Sequence, residues 1–213
     1  MRLAELSERG GVPVGTIKYY LREGLLPPGR RVSATQAEYD EAHLRRLNLV
    51  RALIQIGRVP VATAREVLGH IDDESLGTTF RVGAAMWALP HPPEAPADDP
   101  TTAEVTAGVD RFLGDLGWHH AREIGALSPS YRQLVTTMAT LTRLGYTIGP
   151  DTLAAYAAHM ESVARLDLDQ LDAFDDDREK AEAAVAGAVL FEPVLAALRR
   201  LAQEEHTTRR YGL

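Results

Sequence analysis

Along the chain, short apolar stripes at helical spacing are separated by glycine and proline. Leu3 and Leu6 fall one turn apart, and Gly10-Gly11 ends the helix they predict over residues 2–9. After Val12 and Pro13 a second helix is predicted up to Gly24. Ile17, Tyr20 and Leu21 lie on one of its faces, while Thr16, Lys18, Tyr19 and Arg22 point away. Pro27-Pro28-Gly29 cannot continue a helix, and residues 30–39 read as a two-stranded hairpin with its turn at 33–35. Asp40 then caps a longer helix with Leu44, Leu47, Val50, Leu53 and Ile56 on its apolar face, Arg45 and Arg46 on its solvated face, and Gly57 at its end. Another helix follows Pro60 through Ala64, Val67, Leu68 and Ile71. Two short helices joined by a glycine-containing turn, followed by a hairpin, predict a winged helix-turn-helix unit. In such a unit the second helix enters the major groove of duplex DNA.

The remainder is patterned only for helix. Leu76, Phe80, Val82, Met86 and Trp87 suggest a helix over residues 74–89. Pro90, Pro92, Pro93, Pro96 and Pro100 then make residues 90–102 a linker. Beyond it one stripe is formed by Val105, Val109, Phe112, Leu113 and Leu116. A second, opened by Ser128 as cap and Pro129 in the first turn, carries Tyr131, Leu134, Val135 and Met138. Leu153, Tyr156, Met160 and Val163 form a third, and Val185, Val189, Val194, Leu198 and Leu201 a last one with a kink at Pro193. The run Asp175-Asp176-Asp177 belongs at a helix start, where carboxylates meet the positive end of the helix dipole. The expected fold is all-α with a small β wing: a winged helix-turn-helix DNA-binding domain plus a C-terminal helical bundle. The expected parts are residues 1–72, a connecting helix and Pro-rich linker over 73–103, and an all-helical effector-binding and dimerisation domain over 104–213.

Charge sharpens this division. The 213 residues carry a net charge of −7, which taken alone argues against a nucleic-acid partner. Residues 1–71, however, hold eleven Lys and Arg against seven Asp and Glu, or +4, and the rest of the chain is −11. A basic unit joined to an acidic one is what results when only one part must approach phosphates. There is no cysteine, which rules out disulfides, thiolate metal ligands and thiol nucleophiles. With no apolar run near the ~18 residues of a membrane span and no signal-peptide pattern, the expectation is a cytoplasmic protein with no membrane partner.

The residues Gly11-Val12, Thr16-Ile17-Lys18-Tyr19-Tyr20 and Gly24-Leu25-Leu26-Pro27-Pro28 resemble the DNA-binding start of MerR-type transcriptional regulators. That family's pattern is G-V-x-x-x-T-I-[RK]-Y-Y followed by x-x-x-G-L-L-x-P, and the similarity extends to Ile71, about a third of the chain. The resemblance implies a bacterial homodimer on double-stranded promoter DNA that bends and untwists the promoter and so acts on RNA polymerase indirectly. It places Thr16 and Lys18 on the recognition helix, Tyr19 and Tyr20 toward sugar-phosphate oxygens, and Arg30 and Arg31 where the wing meets the backbone. Arg22 and Arg58 join these as candidate contacts. Family members commonly carry Gly-Tyr-Arg-x-Tyr in the wing. Here Thr35-Gln36-Ala37-Glu38-Tyr39 puts Ala37 in the arginine's place and leaves its role to Gln36 or Arg31. The family's long dimer helix is also shortened or replaced, because the prolines interrupt it.

The helical remainder loosely resembles the effector-binding domains of TetR-type regulators, where the last helices pair across a two-fold axis. A small hydrophobic ligand would be enclosed by the larger residues: Trp87, Phe112, Trp118 and Tyr131, with Met138, Tyr146, Tyr156 and Met160. His119-His120 and His159 have no metal-site spacing, so no metal is expected. No G-x-S-x-G, P-loop, H-E-x-x-H or dinucleotide fingerprint occurs, which argues against an enzyme and for no cofactor. The competing reading is an architectural or excision-type DNA-binding factor whose C-terminal domain is a protein-interaction module.

Overall fold

The computed structural model describes residues 1–33, 36–91 and 99–212. In chain order its elements are α1 Leu3–Gly10, α2 Val14–Arg22, β1 Arg30–Arg31, β2 Ala37–Glu38, α3 Glu41–Arg51, a π-helical turn Ala52–Ile56, α4 Val61–Asp72 and α5 Thr78–Trp87. These are followed by α6 Pro100–Asp115, α7 His119–Ile124 with a 3-10 turn Gly125–Leu127, α8 Pro129–Arg143, α9 Pro150–Leu171 and α10 Asp177–Tyr211. The chain forms two units, Met1–Leu89 with Asp169–Leu213, and Pro90–Leu168.

The ends of the elements follow from local chemistry. α1 stops because Gly11 adopts φ 60°, which lets the Val12 N–H donate to the Ser7 carbonyl at 3.1 Å. Asp40 opens α3 by accepting the His43 N–H at 3.1 Å, while His43 Nδ1 accepts the Asp40 N–H at 3.2 Å. Hydrogen bonding to His43 holds the Asp40 carboxyl below its ordinary range. Ser128 caps α8 with Pro129 in the first turn, and Asp176 caps α10 by accepting the Arg178 and Glu179 N–H groups, both at 2.9 Å. β1 and β2 pair antiparallel, Arg30 opposite Glu38 and Arg31 opposite Ala37. Of the expected turn, Ala34 and Thr35 lie outside the described residues, as do Pro92, Pro93 and Pro96 of the expected linker.

The core of the first unit takes Leu6 from α1, Ile17 and Tyr20 from α2, Leu47, Val50 and Leu53 around α3, and Val67, Leu68 and Ile71 from α4. It also takes Ala181 and Val185 from α10. The last helix therefore packs on the N-terminal unit, and the compact units do not follow the expected division at residues 72 and 104.

A buried cation explains why α10 comes back. Arg46 was expected on a solvated helix face, yet its side chain is 1% exposed. Its guanidinium reaches Asp72 at the end of α4 and lies 3.1 Å from Glu182 of α10. Arg178 joins the cluster at 3.1 Å from Asp72, and Arg45 pairs with Glu179 at 2.5 Å. Burial raises the Glu182 carboxyl above its ordinary range even though these arginines oppose the shift. At Gly57 an added Cβ would meet Val189 Cγ1 at 2.6 Å, so α10 lies against the π turn only because that residue has no side chain.

One further expectation is corrected along α10. The helix is continuous through Pro193, the position expected to kink it. It also contains an 18-residue window of mean hydropathy 1.7, long and apolar enough to cross a bilayer by length and composition, where no such run was expected. Strict apolar continuity is broken at Glu192, so the run is visible only as an average.

The second unit has a small core of Val109, Leu113, Tyr131 and Val135, against which Phe112, Trp118 and Leu134 pack. The Tyr131 hydroxyl donates to Asp110 Oδ1 at 2.7 Å; burial first, and that hydrogen bond second, push its pKa up to about 12. α9 buries Ala157 and leaves Tyr156 and Met160 outside.

Two outcomes follow. Arg46→Met leaves Asp72 and Glu182 to Arg178 alone and should cost about 3–5 kcal/mol in urea unfolding. In a spectrophotometric titration of the seven tyrosines, one should ionise near 12, and Tyr131→Phe should remove that step. Because this phenol is raised above its unfolded value of ~10, its contribution to stability is intact below that pH and lost as pH climbs through about 12.

Candidate nucleic-acid interface

α2 turns its two kinds of residue to opposite sides. Ile17 and Tyr20 are sealed in the core at 0% and 3% exposure, while Lys18 and Arg22 project into solvent and Thr16 and Tyr19 are half-buried. Lys18 has no ion-pair partner among the described residues. Arg22 lies over the Tyr19 ring, 5.2 Å from its centroid, with Nε 3.6 Å from Glu23. This stacking holds the tyrosine and the guanidinium together on the outer face.

Tyr20 is the correction here. It was expected to reach sugar-phosphate oxygens, but its ring fills the core and its hydroxyl bonds to Gln55 of the π turn. Burial raises its pKa. Being three residues from Ile17, it lies on the inner side of the helix, and it cannot reach a duplex without unpacking α2.

The position of α2 is fixed from behind by a residue the sequence reading passed over. Arg65 of α4 donates through Nε to the Glu23 carbonyl at 2.7 Å, and its terminal nitrogen lies 2.9 Å from the Glu23 carboxylate. The last carbonyls of a helix have no intrahelical partner, so a guanidinium there both caps α2 and sets its angle. A second arginine, Arg51, donates to the Gly10 carbonyl at 2.6 Å and fixes the end of α1 in the same way. In the sequence both looked like ordinary charged positions on amphipathic helices, and only an arginine's recurrence beside a buried stripe hinted otherwise.

In the ribbon the arginines differ. Arg30 is engaged by Glu38 across the strand pair, whereas Arg31 and Gln36 are exposed, and the Gln36 carbonyl accepts the Val32 N–H at 2.9 Å. Ala37, in the place of the family's arginine, packs against the core. Arg58 is exposed in the turn before α4 and has φ 52°, a left-handed conformation costly for a side chain.

The expected effector wall does not assemble. Phe112, Trp118 and Tyr131 meet in the second core and Met138 is half-buried, but Tyr146, Tyr156 and Met160 lie on the surface and Trp87 belongs to the first unit. The reason is that α9 turns only Ala157 fully inward, so its large residues have nothing to enclose. A groove of about 250 Å³ lies instead within the first unit, between α3 and α10, lined by Leu49, Ala52, Phe174, Ala186 and Leu190 with Arg45 and Glu182.

Residues 1–71 match the model of the MerR HTH family of regulatory proteins. Over 50 residues the chain is 40% identical to the HTH-type transcriptional regulator ZntR homolog of Haemophilus influenzae, a match that takes in 24% of this chain and 37% of that protein. It therefore spans little more than a third of that relative. Along its full length it is similar to SCO5550 of Streptomyces coelicolor A3(2), a crystal structure described as that of a candidate transcriptional regulator. The identity is 58% and the TM-score 0.86, covering 100% of this chain and 99% of that one.

If α2 is divided as described, Ile17→Ala should cost about 2–5 kcal/mol in denaturant unfolding, and Lys18→Ala should stay within about 0.5 kcal/mol of the parent.

Proposed function

Because the chain belongs to the MerR family of transcriptional regulators, we propose that it binds promoter DNA sequence-specifically as a homodimer and responds to a small organic effector. The observation that carries this reading is the bare outer face of α2, where Lys18, Arg22 and the Tyr19 ring stand over a fully packed inner face. An exposed arginine stacked on a tyrosine, next to an unpaired lysine, does nothing for the fold. Opposite a duplex, these groups supply donors to phosphate oxygens and, with Thr16, to base edges.

The +4 charge of residues 1–71 within an acidic chain puts the attraction on this unit. Arg31 and Gln36 take the backbone contact that Ala37 cannot make, and Arg58 adds another, its strained backbone holding the guanidinium clear of the core. Arg30 contributes less, since Glu38 already neutralises it. Two copies present two recognition helices to half-sites one helical turn apart, ~34 Å. Bending of the spacer between them alters the engagement of RNA polymerase. The effector acts through the C-terminal helices. The groove between α3 and α10, at about 250 Å³, is near the lower limit of ligand pockets (~300 Å³ upward) and suits a compact apolar molecule. Such a regulator works in the cytoplasm.

The test is fluorescence anisotropy with the protein's own promoter duplex. Lys18→Glu with Arg31→Glu should weaken binding by more than about tenfold at low salt and lower the slope of log K against log salt by about two. Affinity unchanged at low salt would end this reading. A compound that binds the groove should raise the melting temperature of the wild-type chain in proportion to its occupancy.

A further inference from the structure

The wing is a ribbon with two residues in each strand, and its register sets Arg30 directly opposite Glu38 and Arg31 opposite Ala37. Cross-strand partners share a face, so one face of the ribbon carries an arginine with a carboxylate and the other an arginine with a methyl group. Glu38 holds the Arg30 guanidinium through Oε2. The fold has little need of this pair. Its side chains are 75% and 42% exposed, and an ion pair in water adds little to stability. The ribbon is closed by its backbone instead: the Val32 and Ser33 N–H groups donate to the Gln36 carbonyl at 2.9 and 3.2 Å, and the Tyr39 N–H donates to the Met1 carbonyl at 2.8 Å. Gly29 completes it, since a Cβ there would stand 2.6 Å from the Glu38 carbonyl oxygen.

A carboxylate and a phosphate offer a guanidinium the same feature, oxygens that share a negative charge. We propose that Glu38 is a built-in substitute for a DNA phosphate. It occupies Arg30, so that of the two wing arginines only Arg31 meets a duplex uncompensated. A phosphate contact strengthens binding to every sequence alike, whereas discrimination comes from base edges. Masking one such contact therefore lowers affinity for all duplexes by a common factor and leaves untouched whatever α2 reads. The protein is released sooner from sequences it does not recognise. The inference rests on the DNA-binding reading and names the residue that limits it.

Fluorescence anisotropy on two duplexes of equal length, the protein's own promoter and a scrambled sequence, tests it. Glu38→Gln keeps the shape of the side chain and removes its charge. At about 0.15 M salt this variant should bind both duplexes about fivefold more tightly than the wild type, and the slope of log K against log salt should steepen by about one, as a single added phosphate contact requires. Arg30→Ala combined with Glu38→Gln removes a neutral pair and should return both affinities to within about twofold of the wild type. A double variant that keeps the full gain would mean that the carboxylate acts by repulsion at a distance and not through Arg30, which overturns the proposal. So would a Glu38→Gln protein that binds more weakly and has a lower urea midpoint, because the pair would then be holding the wing together. Wild-type binding to both duplexes with no change in Glu38→Gln overturns the mask alone. A wild type that binds neither duplex at low salt overturns the DNA-binding reading as well.

Discussion

The guanidinium of Arg46 is closed off from water among α3, α4 and α10, and a charge in that position must keep its carboxylate partners. Desolvating an arginine costs several kcal/mol, which is offset only while Asp72 and Glu182 are held in place. That requirement brings the end of α4 and the start of α10 to α3. α3 in turn packs on α1, and α4 carries Arg65, which clamps Glu23 at the end of α2. The orientation of the outer face of α2 is thus determined from inside by arginines that never touch it: Arg46 brings α10 to the unit, Arg51 holds the end of α1, and Arg65 holds the end of α2.

This organisation assigns different work to the chain's arginines. Those inside or at helix ends are paired with carboxylates or carbonyls and give up their charge to the fold. Lys18, Arg31 and Arg58 have no ion-pair partner among the described residues. The wing is intermediate, since Glu38 occupies Arg30 and Ala37 has turned toward the core.

Much of the first unit was legible in the order of its residues, because apolar side chains at 3.6-residue spacing and glycine or proline stops depend on neighbours. α1, α2, α3 and α4 and the cap Asp40 are of this kind, as are the cap Ser128 in the second unit and the placing of Asp175-Asp176-Asp177 at a helix start. Arg46 was not legible, since a charged residue beside another charged residue on a helix looks solvated and its partner Glu182 lies far along the chain. Nor was the return of α10: an apolar stripe reads the same whether it packs on the neighbouring helix or on one that precedes it by more than a hundred residues. For Tyr20 the spacing from Ile17 pointed inward while the family resemblance pointed outward, and the spacing was right. The aromatic and methionine residues expected to enclose an effector failed for a related reason. Size favours burial only where a partner surface exists, and α9 provides none for Tyr156 or Met160.

The closeness of Gly57 to Val189 gives the molecule a mechanical property. α10 is held near Ala181 by the charge cluster and touches the π turn about 12 Å further along, and its far end is about 45 Å from the same pivot. A push at Val189 is therefore magnified roughly fourfold at Tyr211, as in a beam loaded close to its hinge. The bare glycine sets the zero of that beam.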